Sequence, residues 1–343
     1  MTMKAAIYRG EKTFSVENRE SAPPAAGEVQ IDVAYCGICG TDLHIYLGHM
    51  DQRVGFERAI GHEMSGVVSA IGAGVQGIEV GQNIVVRPLA ACGDCPACRA
   101  GHDHICHTLK FIGIDTDGAF QQKWNVPADT IHAMPDGLAL SHAALIEPLA
   151  VACHDVERGR VTDGEDVLVI GGGPIGLLVA LVARHAGGNV RISEISEHRL
   201  AYAKKLGFET YNPLEVDVAA EMNKATGSKG ADVVFEVSGS QPGVDLMTKA
   251  AAARGRVVMV AIHATKPTID LFQFFWRELE MIGARVYRPE DYDRAMELLA
   301  EGVVDCESFI TDIRPLDEIQ QAFDSLDGNP QAIKSMIKVG EFT

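Results

Sequence analysis

The run Asp166-Val167-Leu168-Val169-Ile170-Gly171-Gly172-Gly173-Pro174-Ile175-Gly176 limits the fold of this chain more than any other stretch. Its apolar first half reads as a strand buried on both faces, the pattern of a parallel sheet. Glycines at 171, 173 and 176 give the spacing G-x-G-x-x-G, and residues 177–186 continue with helical spacing. A strand, a glycine turn and a helix in that order present backbone N–H groups and a helix N-terminus to a pyrophosphate. The glycine spacing alone is a weak signal, because such turns are common; the flanking strand and helix make it a strong one. Gly171, Gly173, Pro174, Ile175 and Gly176 are therefore candidate residues of a dinucleotide site.

The next strand, Asn189–Ser193, ends at Glu194, eighteen residues past Gly176. A carboxylate there accepts hydrogen bonds from ribose hydroxyls and repels a 2′-phosphate, so NAD is expected over NADP. Arg191 and Arg199 lie close enough in sequence to soften that discrimination, and Arg199 joins the candidate cofactor residues. Ala231–Glu236 and residues 255–260 read as further strands of the same sheet. Ile262–Ala264 would then sit at a carboxyl end facing the nicotinamide.

The first third of the chain has a different texture. Residues 4–8, 28–34, 66–72 and 83–88 read as short strands separated by glycine and proline turns. They suggest a small β-barrel or sandwich with a metal in a cleft. The metal signal is Cys39, with Thr41 and His44 two and five residues later, followed by His62-Glu63 and by Glu147. The glycines on either side of Cys39 suggest a tight backbone path. Cysteine, histidine and carboxylate from distant positions are the donors of a zinc site with an open fourth position. A lone cysteine or histidine is more often plain core; a second metal signal reverses that balance here.

The second signal is Cys92, Cys95, Cys98 and Cys106, spaced C-x2-C-x2-C-x7-C. Four thiolates saturate a tetrahedral zinc, so this site is expected to be structural. His102, His104 and His107 share the loop, but a complete thiolate set makes them unnecessary. The alternative, a pair of disulfides, suits a different compartment.

The 343 residues suggest about two domains. With 47 acidic and 30 basic residues the formal net charge is −17, which argues against nucleic acid and anionic membranes as partners. No signal-peptide pattern opens the chain, and its most apolar stretch, residues 167–183, is broken by the glycine turn, so a cytoplasmic address is expected. After Tyr287 the strand–helix alternation stops. Residues 292–300 and 316–326 read as amphipathic helices, and residues 332–339 as a closing strand or helix-to-strand unit that returns to the first domain.

These signals, in this order, resemble the zinc-dependent medium-chain alcohol dehydrogenases over essentially the whole length. The resemblance implies an α/β chain with a GroES-like β-rich catalytic domain at 1–147 and 288–343. A Rossmann doubly wound parallel-sheet cofactor domain would occupy 148–287, with the active site in the cleft between them. It implies two zinc ions per chain and NAD. Cys39 and His62 would be catalytic zinc ligands, with Glu63 or Glu147 completing the shell, and Cys92, Cys95, Cys98 and Cys106 would hold the structural zinc. Thr41 and His44 would carry the proton from a secondary alcohol. The glutamate in Ile146-Glu147-Pro148-Leu149 looks like the sorbitol or polyol dehydrogenase branch, whereas His44-Ile45-Tyr46 is closer to threonine dehydrogenase. Around Arg285-Val286-Tyr287 the match to sorbitol dehydrogenase is imperfect, the arginine being displaced by one position.

The expected activity is oxidation of a polyol or sugar-derived secondary alcohol by a homodimer or homotetramer. An enzyme like L-threonine 3-dehydrogenase or butanediol dehydrogenase is the alternative. A non-catalytic, zinc-stabilised binding protein would keep the cysteine lobe but have no use for Thr41 beside an open metal site.

Overall fold

In a computed structural model, residues 2–328 and 331–342 are described. The chain divides into two compact units, Met1–Glu147 with Arg288–Thr343, and Pro148–Tyr287.

The first unit is built on the strand Glu28–Gly37, which is buried at every residue but Glu28, Asp32 and Tyr35. One edge of this strand pairs antiparallel with Glu63–Ile71. The other edge is shared: Lys123–Pro127 takes its first half and the tail strand Lys334–Lys338 takes Tyr35 to Gly37. Ile310–Pro315 pairs with the tail strand, while Asn83–Val86 and Ile131–Ala133 extend the far side. The closing segment therefore docks as a strand. The expected helix at 316–326 is a 3-10 turn, Leu316–Glu318, running into the helix Ile319–Leu326. Phe14, Tyr46, Phe120 and Phe323 meet in one aromatic cluster, with Phe14 and Phe323 centroids 4.6 Å apart.

The second unit is a six-stranded parallel sheet. Its order is Glu209–Tyr211, Asn189–Ser193, Asp166–Ile170, Ala231–Glu236, Ala251–Met259 and Glu280–Gly283. Asp166–Ile170 lies at the centre and is almost wholly buried, which explains its unbroken apolar run. The chain winds outward from it in both directions, so the strand order reverses between Asp166–Ile170 and Ala231–Glu236. Ligands of such sheets bind at the carboxyl ends beside that switch point. No helix among the described residues is long and apolar enough to cross a membrane.

Candidate metal centres and cofactor cradle

Cys39 caps the short helix Gly40–Tyr46, and its backbone N–H donates to Asp42 Oδ2 at 2.9 Å. His62 follows Gly61, whose φ of +100° only glycine adopts readily and where a Cβ would sit 2.9 Å from Phe120. Glu63 opens the strand Glu63–Ile71. Three elements thus deliver one thiol, one imidazole and one carboxylate whose donor atoms all lie within 4.8 Å of one another. His62 is 2 % exposed and Glu63 is 1 % exposed, while Cys39 is partly exposed.

Glu147 opens the helix Ile146–Gly159 and is also buried. Its charge bears on both His62 and Lys334, but it stands outside the compact donor group. The glycine before Cys39 has a different use from the expected one. Gly37 is needed because a Cβ there would overlap the Glu63 carboxylate and crowd Lys334, whereas Gly40 faces open space.

Two further residues complete the setting. Asp42 is fully buried, with Oδ1 3.6 Å from His62 Nδ1, and neither atom has a hydrogen-bond partner among the described residues. Lys334 arrives on the tail strand and is 2 % exposed. Its Nζ pairs with Glu63 Oε2 and donates to the Ile38 carbonyl at 3.0 Å. Asp42 belongs to a sequence stretch already singled out, but a lone aspartate there carries no signal of its own. Lys334 is 271 residues from Glu63, and only the folded sheet brings them together.

Burial pushes the Asp42 carboxyl up to about 6, with His62 opposing the shift. Burial also raises the Cys39 thiol, and Glu63 adds to that. A thiol, an imidazole and the Glu63 carboxylate, with Asp42 and Glu147 buried nearby and Lys334 paired to Glu63, make a negatively charged setting that a divalent cation complements. Zinc fits here on donor chemistry, with an imidazole steered by a carboxylate behind it.

Thr41 and His44 lie three residues apart on the helix Gly40–Tyr46 and so share a face. Both are half-buried. His44 Nδ1 is 3.2 Å from His49 Nδ1, and burial followed by the His49 charge lowers the His44 pKa. A neutral imidazole near pH 7 is suited to receiving a proton.

The cysteine lobe is a separate centre. All eight cysteines are free thiols. Four of the six sulfur–sulfur distances among Cys92, Cys95, Cys98 and Cys106 run from 3.4 to 4.0 Å, and all six are within 4.8 Å. Zinc–sulfur bonds of about 2.3 Å in a tetrahedron require about 3.8 Å. Backbone N–H groups of Cys95, Cys98, His107 and Thr108 donate to these sulfurs, as they would to thiolates. The backbone N–H of Asp94, followed by the Thr108 hydroxyl, holds the Cys92 thiol down at about 6.

The cofactor cradle lies in the second unit. Gly171 has φ +103°, and a Cβ there would sit 3.0 Å from Ser238 N. A Cβ on Gly176 would overlap the Gly171 carbonyl, so the helix can start this close to the strand only with glycine. Gly173 caps the helix Pro174–His185, Pro174 fills its first turn, and Ile175 follows. Glu194 Oε2 accepts from Gly172 N at 2.7 Å, while Oε1 accepts from Ile195 and Ser196 N. The Arg199 guanidinium stands 3.8 Å from the same carboxylate. Arg191 instead pairs with Asp166 and Glu209. Ile262 is 79 % exposed beyond the strand Ala251–Met259. A dinucleotide fits this cradle by shape and by its acidic stop.

Replacing Cys95 with serine is expected to lower zinc content from two ions per chain to one and to drop the melting temperature, because a closed thiolate site contributes directly to folding. Cys39→Ser should also lose one zinc but melt within a few degrees of the parent. Elemental analysis with thermal melts checks both; equal destabilisation by the two variants would contradict separate roles.

Residues 25–136 match the alcohol dehydrogenase GroES-like domain family, and residues 174–301 match the zinc-binding dehydrogenase family. The chain is 55 % identical over 336 residues to a 2-dehydro-3-deoxy-L-galactonate 5-dehydrogenase of Pseudoalteromonas atlantica, covering 98 % of each chain. It is 37 % identical to an L-threonine 3-dehydrogenase of Pyrococcus horikoshii over 88 % of each. Its fold is similar to the crystal structure of 2R,3R-butanediol dehydrogenase from Bacillus subtilis, with a TM-score of 0.90 and 30 % identity over 98 % of this chain and 100 % of that one. Likeness over nearly the whole length, joined to a three-donor Cys–His–Glu group and a four-thiol lobe, places this chain in the zinc-dependent medium-chain alcohol dehydrogenase family, as a dehydrogenase of CH–OH donors.

Proposed function

We propose that the protein oxidises a secondary hydroxyl of a sugar acid or polyol to a ketone, with NAD as hydride acceptor. The observation that carries this reading is the Cys39–His62–Glu63 group, a set of three donors such as a catalytic zinc site uses while keeping its fourth position for a substrate oxygen. Cys39, His62 and Glu63 would hold the catalytic zinc, which when bound supplies Lewis-acid lowering of the hydroxyl pKa. Glu147, buried in the same region but outside the donor group, would orient the substrate hydroxyls. Thr41 would take the hydroxyl proton and His44 would pass it outward, a relay that their shared helix face permits. Cys92, Cys95, Cys98 and Cys106 would hold the second, structural zinc.

The strong likeness to a 2-dehydro-3-deoxy-L-galactonate 5-dehydrogenase makes the C5 hydroxyl of such a six-carbon keto acid the first substrate to test. Its carboxylate lies at the far end of the molecule from the reacting carbon. That separation matters, because Asp42, Glu63 and Glu147 would repel an anion beside the reacting hydroxyl. L-Threonine, which carries its carboxylate near the hydroxyl, is expected to be poor. NADH production from that keto acid, C4–C6 polyols and L-threonine checks this. The keto acid or a polyol should lead; L-threonine outrunning all of them would overturn the substrate class and favour the threonine dehydrogenase reading.

Glu194 is expected to set cofactor choice. Its carboxylate is buried and already bonded to three backbone N–H groups, so a 2′-phosphate would meet a fixed negative charge. NAD should exceed NADP in kcat/KM by about tenfold or more. Glu194→Ser should narrow that ratio, with Arg199 left free to pair with the phosphate. Equal specificity constants in the parent enzyme would show that Arg199 already outweighs Glu194.

The assembly is proposed to be a homodimer or a tetramer of such dimers. Glu280–Gly283 ends the sheet with one open edge and an exposed Met281. The helix Leu271–Arg277 leaves Leu271, Phe272, Phe275 and Trp276 exposed nearby in sequence. An open strand edge and an apolar patch are what a second copy would cover. Light scattering should give at least a dimer mass; a monomer at micromolar concentration would refute this. Free thiols throughout favour a reducing compartment such as the cytoplasm.

A further inference from the structure

One side-chain assembly in the second unit serves neither metal centre nor the Glu194 cradle. Glu236 closes the strand Ala231–Glu236 and is fully buried. Its Oε1 accepts from Ser238 N at 3.0 Å, from Gly239 N at 3.1 Å and from the Ser238 hydroxyl. Its backbone carbonyl accepts from Val260 N and Ala261 N, both at 3.1 Å. The remaining oxygen, Oε2, faces His263 Nε2 at 3.1 Å. A buried carboxylate with this many partners fixes the turn at 238–240 and the segment at 261–263 relative to each other.

The location is specific. The Ser238 turn packs against the first glycine of the fingerprint, where a Gly171 Cβ would lie 3.0 Å from Ser238 N. On its other side a Cβ on Gly239 would lie 3.1 Å from the Ile262 carbonyl. Glycine turn, Ser238 turn and residues 261–263 thus form one continuous ledge at the carboxyl ends of three neighbouring strands. Glu194 lies across the switch point, on the side that takes the adenosine half of a dinucleotide. The ledge lies on the side left for the nicotinamide half.

The chemistry of the pair then defines what it offers. In the neutral imidazole, a hydrogen on the nitrogen that faces the carboxylate would leave Nδ1 as the acceptor. The imidazole is 13 % exposed, so part of the ring reaches the surface. Its Nε2 is buried and meets Glu236 Oε2 at ion-pair distance without an aligned hydrogen bond. We propose that His263 is a binding residue for the nicotinamide half of the cofactor, accepting a hydrogen bond from its carboxamide or ribose, and that Glu236 is the positioning residue that orients it. This rests on the reading of the second unit as an NAD site.

The test separates the halves of the cofactor. NADH binding is followed by fluorescence titration, and ADP binding by calorimetry, for the parent and for His263→Ala, His263→Asn and Glu236→Gln. His263→Ala should weaken NADH about tenfold, the loss of one good hydrogen bond, with ADP affinity unchanged. His263→Asn keeps an acceptor near Nδ1 and should recover most of that loss. Glu236→Gln can turn a donor toward Nε2 and so reverse the tautomer, and should weaken NADH while leaving ADP unchanged. NADH affinity unchanged in His263→Ala would overturn the proposal, as would ADP and NADH affinities falling together, which would mark a folding role. Failure of the parent enzyme to bind NADH would instead remove the underlying reading.

Discussion

The buried ion pair between Glu63 and Lys334 is the contact on which the first unit's chemistry depends. Both side chains are almost completely excluded from water. Such a pair persists only when its remaining hydrogen-bonding capacity is met, and here the Ile38 carbonyl takes a further Lys334 proton. Ile38 directly precedes Cys39, so one ammonium group fixes the carboxylate of one candidate ligand and the backbone beside another. Removing one partner of a buried pair typically costs about 3–5 kcal/mol. The close approach explains Gly37, since a side chain there would displace the pair. It also explains why the chain returns at residue 334 to pair as a strand with Tyr35–Gly37.

With Lys334 engaged by Glu63, the site remains rich in negative charge. Asp42 stands behind His62, Glu147 adds its charge to the same region, and Cys39 contributes a thiol. A cation is the economical complement, and the two centres differ in the way their proposed tasks require. The cysteine lobe offers four sulfurs at tetrahedral spacing and nothing more, which suits a fold-stabilising ion. The Cys39–His62–Glu63 group offers three donors of mixed type, one short of a closed tetrahedral shell.

Much of this was legible in the sequence where a local pattern maps onto a local structure. Asp166–Ile170, Asn189–Ser193 and Ala231–Glu236 begin and end as their apolar runs suggest, because turn residues bound each strand. The four cysteines meet because they fall within fifteen residues of one loop. The helix Gly40–Tyr46 was not legible: it is only seven residues long and begins at a glycine, so neither periodicity nor propensity marks it. The role of Gly37 was misread as backbone freedom, since the bulk it avoids comes from residues 63 and 334. Asp42, Lys334 and Glu236 were silent for a related reason, and His263 was placed only as part of the stretch 262–264, without its partner. Each gains its meaning from a partner on another element, and no spacing rule links residues 236 and 263 or 63 and 334.

The central claim is that one chain carries two metal centres of different donor chemistry. X-ray absorption at the zinc edge of the purified protein tests it directly, because sulfur and lighter ligands scatter at different distances. The account predicts two zinc ions per chain and about 2.5 sulfur neighbours per zinc, the average of a four-sulfur site and a one-sulfur site completed by nitrogen and oxygen. A fully active protein with one zinc per chain in an all-sulfur shell would contradict it.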